Sequence, residues 1–273
     1  MHTVSKLFFS CFLCLALTLL SGCENKDSDI SLPIVPPTLT PAEQAEVDRY
    51  IATHGRDAIL HYVREMRGNE DGQCVLTYLK YFVSQGADVN AKDRDGFTPL
   101  HWATGLPEVR RITYGGVPGR PEAGRVLRYQ RTQESRNVEA VKYLVSRGAD
   151  VNSGVGTFTP LHGAALNGNV EIVRFLVSKG ANINAQAEFQ PRDRMHLRIM
   201  LLPLHLAVLS GDVETAKFLV SQGAQVAVVR VQSVYGEPFE RLNLTLLDIA
   251  KGNQHTAMVE FISTLLGEEQ DAP

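Results

Sequence analysis

The chain is poor in the features that announce chemistry or a membrane span. Its 273 residues set 27 Lys and Arg against 30 Asp and Glu, a formal net charge of −3, too mild to suggest binding to nucleic acid. The longest largely apolar run, Leu7 to Leu20, has 14 residues, short of the roughly 20 that carry a helix through a bilayer. The patterns H-E-x-x-H and G-x-S-x-G and the phosphate-binding loop are missing, which removes the common hydrolase and nucleotide signatures. His54, His61 and His196 have no metal-ligand spacing, and Gly154-Val155-Gly156 is too little for a nucleotide loop and suits the tip of a finger. No catalytic residue, metal ligand or cofactor is expected.

What is present starts with residues 1–22: a cationic Lys6, the apolar run, and the small pair Ser21-Gly22 before Cys23. This order predicts a cleaved export signal. Leu20-Ser21-Gly22-Cys23, at the C-terminal edge of the run, resembles the lipobox of bacterial lipoproteins. The resemblance implies acylation of the Cys23 thiol, cleavage before it and a mature chain that begins at Cys23 carrying several acyl chains, more than one being what stable anchoring requires. With Glu24 rather than aspartate after the cysteine, it further implies an anchor on the periplasmic face of the outer membrane. Cys11 and Cys14 form a C-x-x-C inside the segment to be removed, and Cys74 is left without a cysteine partner, so stability must come from packing rather than a disulfide. Residues 23–40, polar with Pro33, Pro36 and Pro37, predict a flexible tether of about 50 Å reach, at about 3 Å per residue.

The rest of the chain repeats. Thr98-Pro99-Leu100-His101 and Thr159-Pro160-Leu161-His162 recur as Leu202-Pro203-Leu204-His205 and, degraded, as Thr245-Leu246-Leu247-Asp248. Helical patterns end in Gly-Ala at Gly86, before the first signature, and at Gly148, Gly180 and Gly223 after the first three, each glycine suited to the left-handed residue that stops a helix. The threonines are placed to cap through their hydroxyls, and the prolines occupy a first turn that needs no amide hydrogen. These units resemble ankyrin repeats, helix–turn–helix modules of about 33 residues that stack because none buries its apolar face alone. The resemblance implies an all-α repeat solenoid over residues 41–273. Its parts are N-terminal capping helices within 41–90, repeats at about 95–152, 156–186 and 199–229, and a C-terminal cap at 242–266. It also implies that His101, His162 and His205 hydrogen-bond between neighbouring turns as structural residues, and that Trp102 faces the concave surface, where it is a candidate anchor for a partner.

The signatures start at 98, 159, 202 and 245, spacings of 61, 43 and 43 residues, which leave three insertions against a 33-residue unit. Two lengthen the fingers between repeats. Ile183 to Phe189 and Met195 to Leu201 alternate apolar and polar around Pro191-Arg192-Asp193, and Val226 to Val234 and Phe239 to Leu244 do so less cleanly around Gly236-Glu237-Pro238. These predict extended β-hairpin fingers that pair into one small sheet.

The third insertion, near residues 105–136, differs in kind. Seven arginines (Arg110, Arg111, Arg120, Arg125, Arg128, Arg131 and Arg136) stand against Glu108, Glu122 and Glu134. A local +4 on an otherwise acidic chain is a candidate contact surface. Val109 to Tyr114 and Arg125 to Arg131 are its expected arms, and Tyr114 joins Arg110, Arg111, Arg120, Arg125 and Arg128 as candidate partner-binding residues. A loop between helices already paired is expected to add little to the stack. The alternative is a solvated loop with no partner.

The combined pattern implies protein binding, not catalysis. Lipobox, tether, repeat stack and protruding basic loop together resemble immunity lipoproteins that neutralise phospholipase toxins of type VI secretion by blocking the toxin's active-site groove. A scaffold or regulator of a periplasmic enzyme or envelope complex is the alternative.

Overall fold

A computed structural model describes residues 39–65, 72–105, 112–117, 120–128, 138–154, 158–191, 197–233 and 243–267. Helix α1, Pro41–His54, opens on a reciprocal cap. The Thr40 hydroxyl accepts the Glu43 amide at 3.3 Å, and Glu43 Oε2 accepts the Thr40 amide at 2.7 Å, satisfying two donors that no helical bond reaches. Five helix pairs follow among the described residues. Their inner helices are α2 (Ala58–Glu65), α4 (Pro99–Ala103), α6 (Pro160–Leu166), α8 (Pro203–Ser210) and α10 (Leu246–Gly252). Their outer helices are α3 (Gly72–Ser84), α5 (Val138–Ser146), α7 (Val170–Ser178), α9 (Val213–Ser221) and α11 (Thr256–Leu266). Inner helix packs on inner helix and outer on outer, the two-layer stack expected of the repeats.

Local chemistry sets the ends of these helices. Asn169 Oδ1 and Asp212 Oδ1 accept the amides of Ile172 and Thr215 and start α7 and α9. At the other ends Gly148, Gly180 and Gly223 take φ of 86 to 90°. There the amides of Ala149, Ala181 and Ala224 return to the carbonyls of Leu144, Leu176 and Leu219, the six-to-one closure that a left-handed residue allows. The first pair, α2 and α3, stacks on the second although residues 58–65 carry no repeat signature.

The two long fingers join in one antiparallel sheet of order β3-β4-β5-β6: Ala187–Phe189, Leu197–Leu201, Val229–Ser233 and Asn243–Leu244. Register places Phe189 opposite Ile199 and Ile199 opposite Val231, all buried on one face. Glu188 and Arg198 pair at 3.4 Å on the other face. Strand β3 is shorter than expected. Ile183 and Asn184 form a turn, because the Asn184 side chain is committed to the backbone of the next repeat. Its Oδ1 accepts the Gln225 amide at 2.8 Å and its Nδ2 donates to the Gly223 carbonyl at 3.2 Å.

The basic insertion also forms a hairpin, with β1 (Thr113–Val117) paired antiparallel to β2 (Arg120–Arg128). Val117 pairs with Arg120, and Gly115 and Gly116 lie in the strand. This hairpin is not a free loop. Strand β2 packs against α10 of the last pair, and Leu127, 1 % exposed, joins the same core as the repeats.

Candidate protein-binding surface

Two hydrogen-bond ladders hold the repeats in register and leave few polar groups free inside the stack. The first uses the signature histidines. In α4 the Thr98 amide donates to His101 Nδ1 at 3.0 Å, so Nδ1 carries no proton and the ring proton sits on Nε2. That Nε2–H donates to the Phe158 carbonyl of the next repeat at 3.3 Å. His205 repeats the arrangement, with the Leu202 amide on Nδ1 at 3.0 Å and Nε2 on the Ala227 carbonyl at 2.8 Å. His162 receives the Thr159 amide at 3.1 Å, while its Nε2 faces the Ala185 and Leu201 carbonyls without the geometry of a hydrogen bond. Burial pushes all three imidazoles down from 6.5 to about 4, so they stay neutral and structural at neutral pH.

The threonine caps differ from expectation. Neither Thr98 nor Thr159 receives a helix amide on its hydroxyl. Their hydroxyls lie 2.8 and 3.0 Å from His Nδ1 and donate to it instead, because that unprotonated nitrogen is the better acceptor in reach. Thr245, opposite an aspartate rather than a histidine, keeps the amide bond, from Asp248 at 3.1 Å. At Leu202 there is no hydroxyl, and the backbone amide makes the histidine bond alone.

The second ladder was not anticipated from the motifs. Asn90 Nδ2 donates to the Gly148 carbonyl and its Oδ1 accepts the Asp150 amide. Asn152 does the same to Gly180 and Asn182, and Asn184 to Gly223 and Gln225. The signal lay in the G-A-x-x-N endings at 86–90, 148–152 and 180–184. The fourth ending has Ala227 in place of asparagine, one unit before the stack stops.

Trp102 is corrected. It is 6 % exposed, its indole N–H donates to Asp93 Oδ2 at 3.1 Å, and its ring meets Phe97 edge-on at 5.9 Å. A side chain so enclosed is a core residue, not an open anchor on the concave face. The inner helices nearby are enclosed as well: every residue of α6 and of α8 is buried.

The structure places the other candidates unevenly. Tyr114 lies in β1 and Arg120, Arg125 and Arg128 in β2, with Tyr114 opposite Leu127 and Arg128 opposite Thr113. Arg110, Arg111 and Cys23 lie outside the described residues. What fixes the hairpin is Asn253, at the C-terminal end of α10. Its Nδ2 donates to the Leu127 carbonyl at 2.7 Å and to the Ile249 carbonyl at 2.8 Å. Asn167, also eight residues after the start of its signature, donates to the Thr104 carbonyl of the preceding repeat at 3.0 Å. The bond from Asn253 thus joins the hairpin to the stack with the same chemistry that joins one repeat to another. Among the described residues no cluster of three or more His, Cys, Asp or Glu is placed to hold a metal ion.

Comparison with known proteins agrees with this architecture. A family model of ankyrin repeats in three copies matches residues 131–187, and one of ankyrin repeats in many copies matches residues 161–220. No curated protein matches the chain. The matched segments span α5 to α9, and the pairs on either side continue the same stack. The chain carries ankyrin repeats, which form a module for binding other proteins.

Proposed function

We propose that this ankyrin stack is a lipid-anchored periplasmic binding protein that neutralises a phospholipase-type toxin by covering its active-site groove. The observation that carries this reading is the inserted arm. Strands β1 and β2, which carry Arg120, Arg125 and Arg128 against Glu122, are fastened as a hairpin to the last repeat. A basic hairpin already paired and held to the stack suits an acidic cleft, because less ordering is left to be done on binding. The lipobox at Leu20 to Cys23 supports placement at the membrane where such a toxin acts.

Co-expression of a phospholipase toxin with the full-length chain in the periplasm tests the reading. Survival with the parent, and its loss when Arg120, Arg125 and Arg128 are reversed to glutamate, is the expected result. Cys23→Ala is expected to lose palmitate labelling and membrane partitioning. Capture of an envelope enzyme with no protection from the toxin favours the scaffold role and overturns the immunity role.

A further inference from the structure

In a row of helix pairs, each inner helix has its outer helix behind it and its neighbours on either side, which leaves one stripe open to a partner. Here no such stripe is open on α6 or α8, since all seven and all eight of their residues are buried. Helix α8 reads Pro-Leu-His-Leu-Ala-Val-Leu-Ser, apolar almost all round, the composition of a helix covered on every side rather than one that faces water. Trp102 of α4, at the level where the insertion leaves the stack, is enclosed too.

The insertion enters this same core. Ile112 is 2 % and Leu127 1 % exposed, both in the cluster formed by the repeats, whereas Thr113 beside Ile112 is exposed. The hairpin therefore has a buried side and an open side. Its seat is α10, three inner helices along from α4, and the Asn253 to Leu127 bond links residues 126 positions apart. In a simple solenoid each repeat touches only its neighbours. This contact skips two of them.

We propose that the hairpin β1–β2 is a clasp. It ties the second helix pair to the fifth and closes the inner-helix face against partners. The expectation that the insertion adds little to the stack is thereby replaced. Deleting it removes Ile112 and Leu127 from the core and uncovers apolar inner helices.

Hydrogen exchange on the full-length chain tests the clasp by reciprocity. Leu127→Ser is read in α10, and Asn253→Ala is read in β1–β2, so each change is read more than 100 residues away in sequence. Each is expected to raise exchange in the distant segment at least tenfold while α7, Val170–Ser178, keeps the parent rate. A change confined to the mutated segment in both variants overturns the clasp. If Leu127→Ser unfolds the whole chain, α7 exchanges with the rest, and Asn253→Ala alone then decides.

Deletion of residues 108–132 tests closure independently, since Trp102 is the chain's one tryptophan. A red-shifted emission and at least threefold stronger acrylamide quenching at retained helix content are expected. Emission and quenching equal to the parent's overturn the claim that the hairpin closes the inner face.

Discussion

A β-carbon built on Gly168 would lie 2.6 Å from the Asp212 β-carbon. Gly168 takes φ of +59° at the turn between α6 and α7, and Asp212 is the residue whose carboxylate starts α9. The same approach recurs between Gly105 and Asn167 and between Gly211 and His255. Each turn glycine is thus the floor on which the next repeat's polar residue stands, so backbone freedom and repeat-to-repeat contact are required at one position.

Gly168→Ala is therefore expected to cost more than Gly180→Ala. At Gly180, φ is +86° but a β-carbon meets nothing within 4 Å, leaving the left-handed strain alone, about 1 kcal/mol. At Gly168 the clash with Asp212 adds to the strain, for a total of about 2–4 kcal/mol. Urea unfolding of the two variants beside the parent measures the difference. Equal midpoints would show that the turn yields without disturbing α9.

Leu161→Ala probes the middle of the stack. Leu161 is fully buried in α6, which packs on both α4 and α8. Its truncation is expected to cost about 2–5 kcal/mol. Because repeats are coupled through nearest neighbours, exchange should rise in α4 and α8 as well as in α6. A urea midpoint within error of the parent's would contradict the assignment of Leu161 to the core.

Much of this architecture was legible in the chain because the repeat is written in residues with single physical uses. Pro99, Pro160 and Pro203 mark first turns, and Gly148, Gly180 and Gly223 mark ends. The alternation from Leu197 to Leu201 marks a strand with one covered face. The partner of a side chain was less legible, since it depends on which group lies across a repeat boundary. Thr98 was expected to take an amide and instead gives its proton to His101. Trp102 was expected in the open and is held by Asp93 and Phe97. The seat of the inserted hairpin was least legible, because a contact between Leu127 and Asn253 follows no local period.

Charge reversal at the insertion is expected to act on association. Arg111→Glu or Arg125→Glu should slow capture of an acidic partner by about tenfold at low salt and flatten its salt dependence, as loss of steering charge does. Stopped-flow association at two ionic strengths reads both effects. Unchanged rates with a faster dissociation would place these side chains in a docked contact rather than in the approach.

The histidine ladder makes stability depend on pH in a stated direction. His101, His162 and His205 titrate near 6.5 when unfolded and at about 4 when folded, because burial disfavours their charged form. Between these values the unfolded chain binds protons that the folded chain does not, so stability falls as pH drops from about 6.5 towards 4 and these groups make no contribution to the slope above that window. Each histidine contributes a slope of at most about 1.4 kcal/mol per pH unit, and the three together at most about 4. His205→Asn, which keeps a polar side chain without a titrating ring, should lower the parent's stability at pH 7 and reduce the acid slope by about a third. Urea titrations at half-unit steps from pH 7.5 to 4.5 measure that slope. A profile flat from pH 6.5 to 5 would mean that the rings are already charged within the stack.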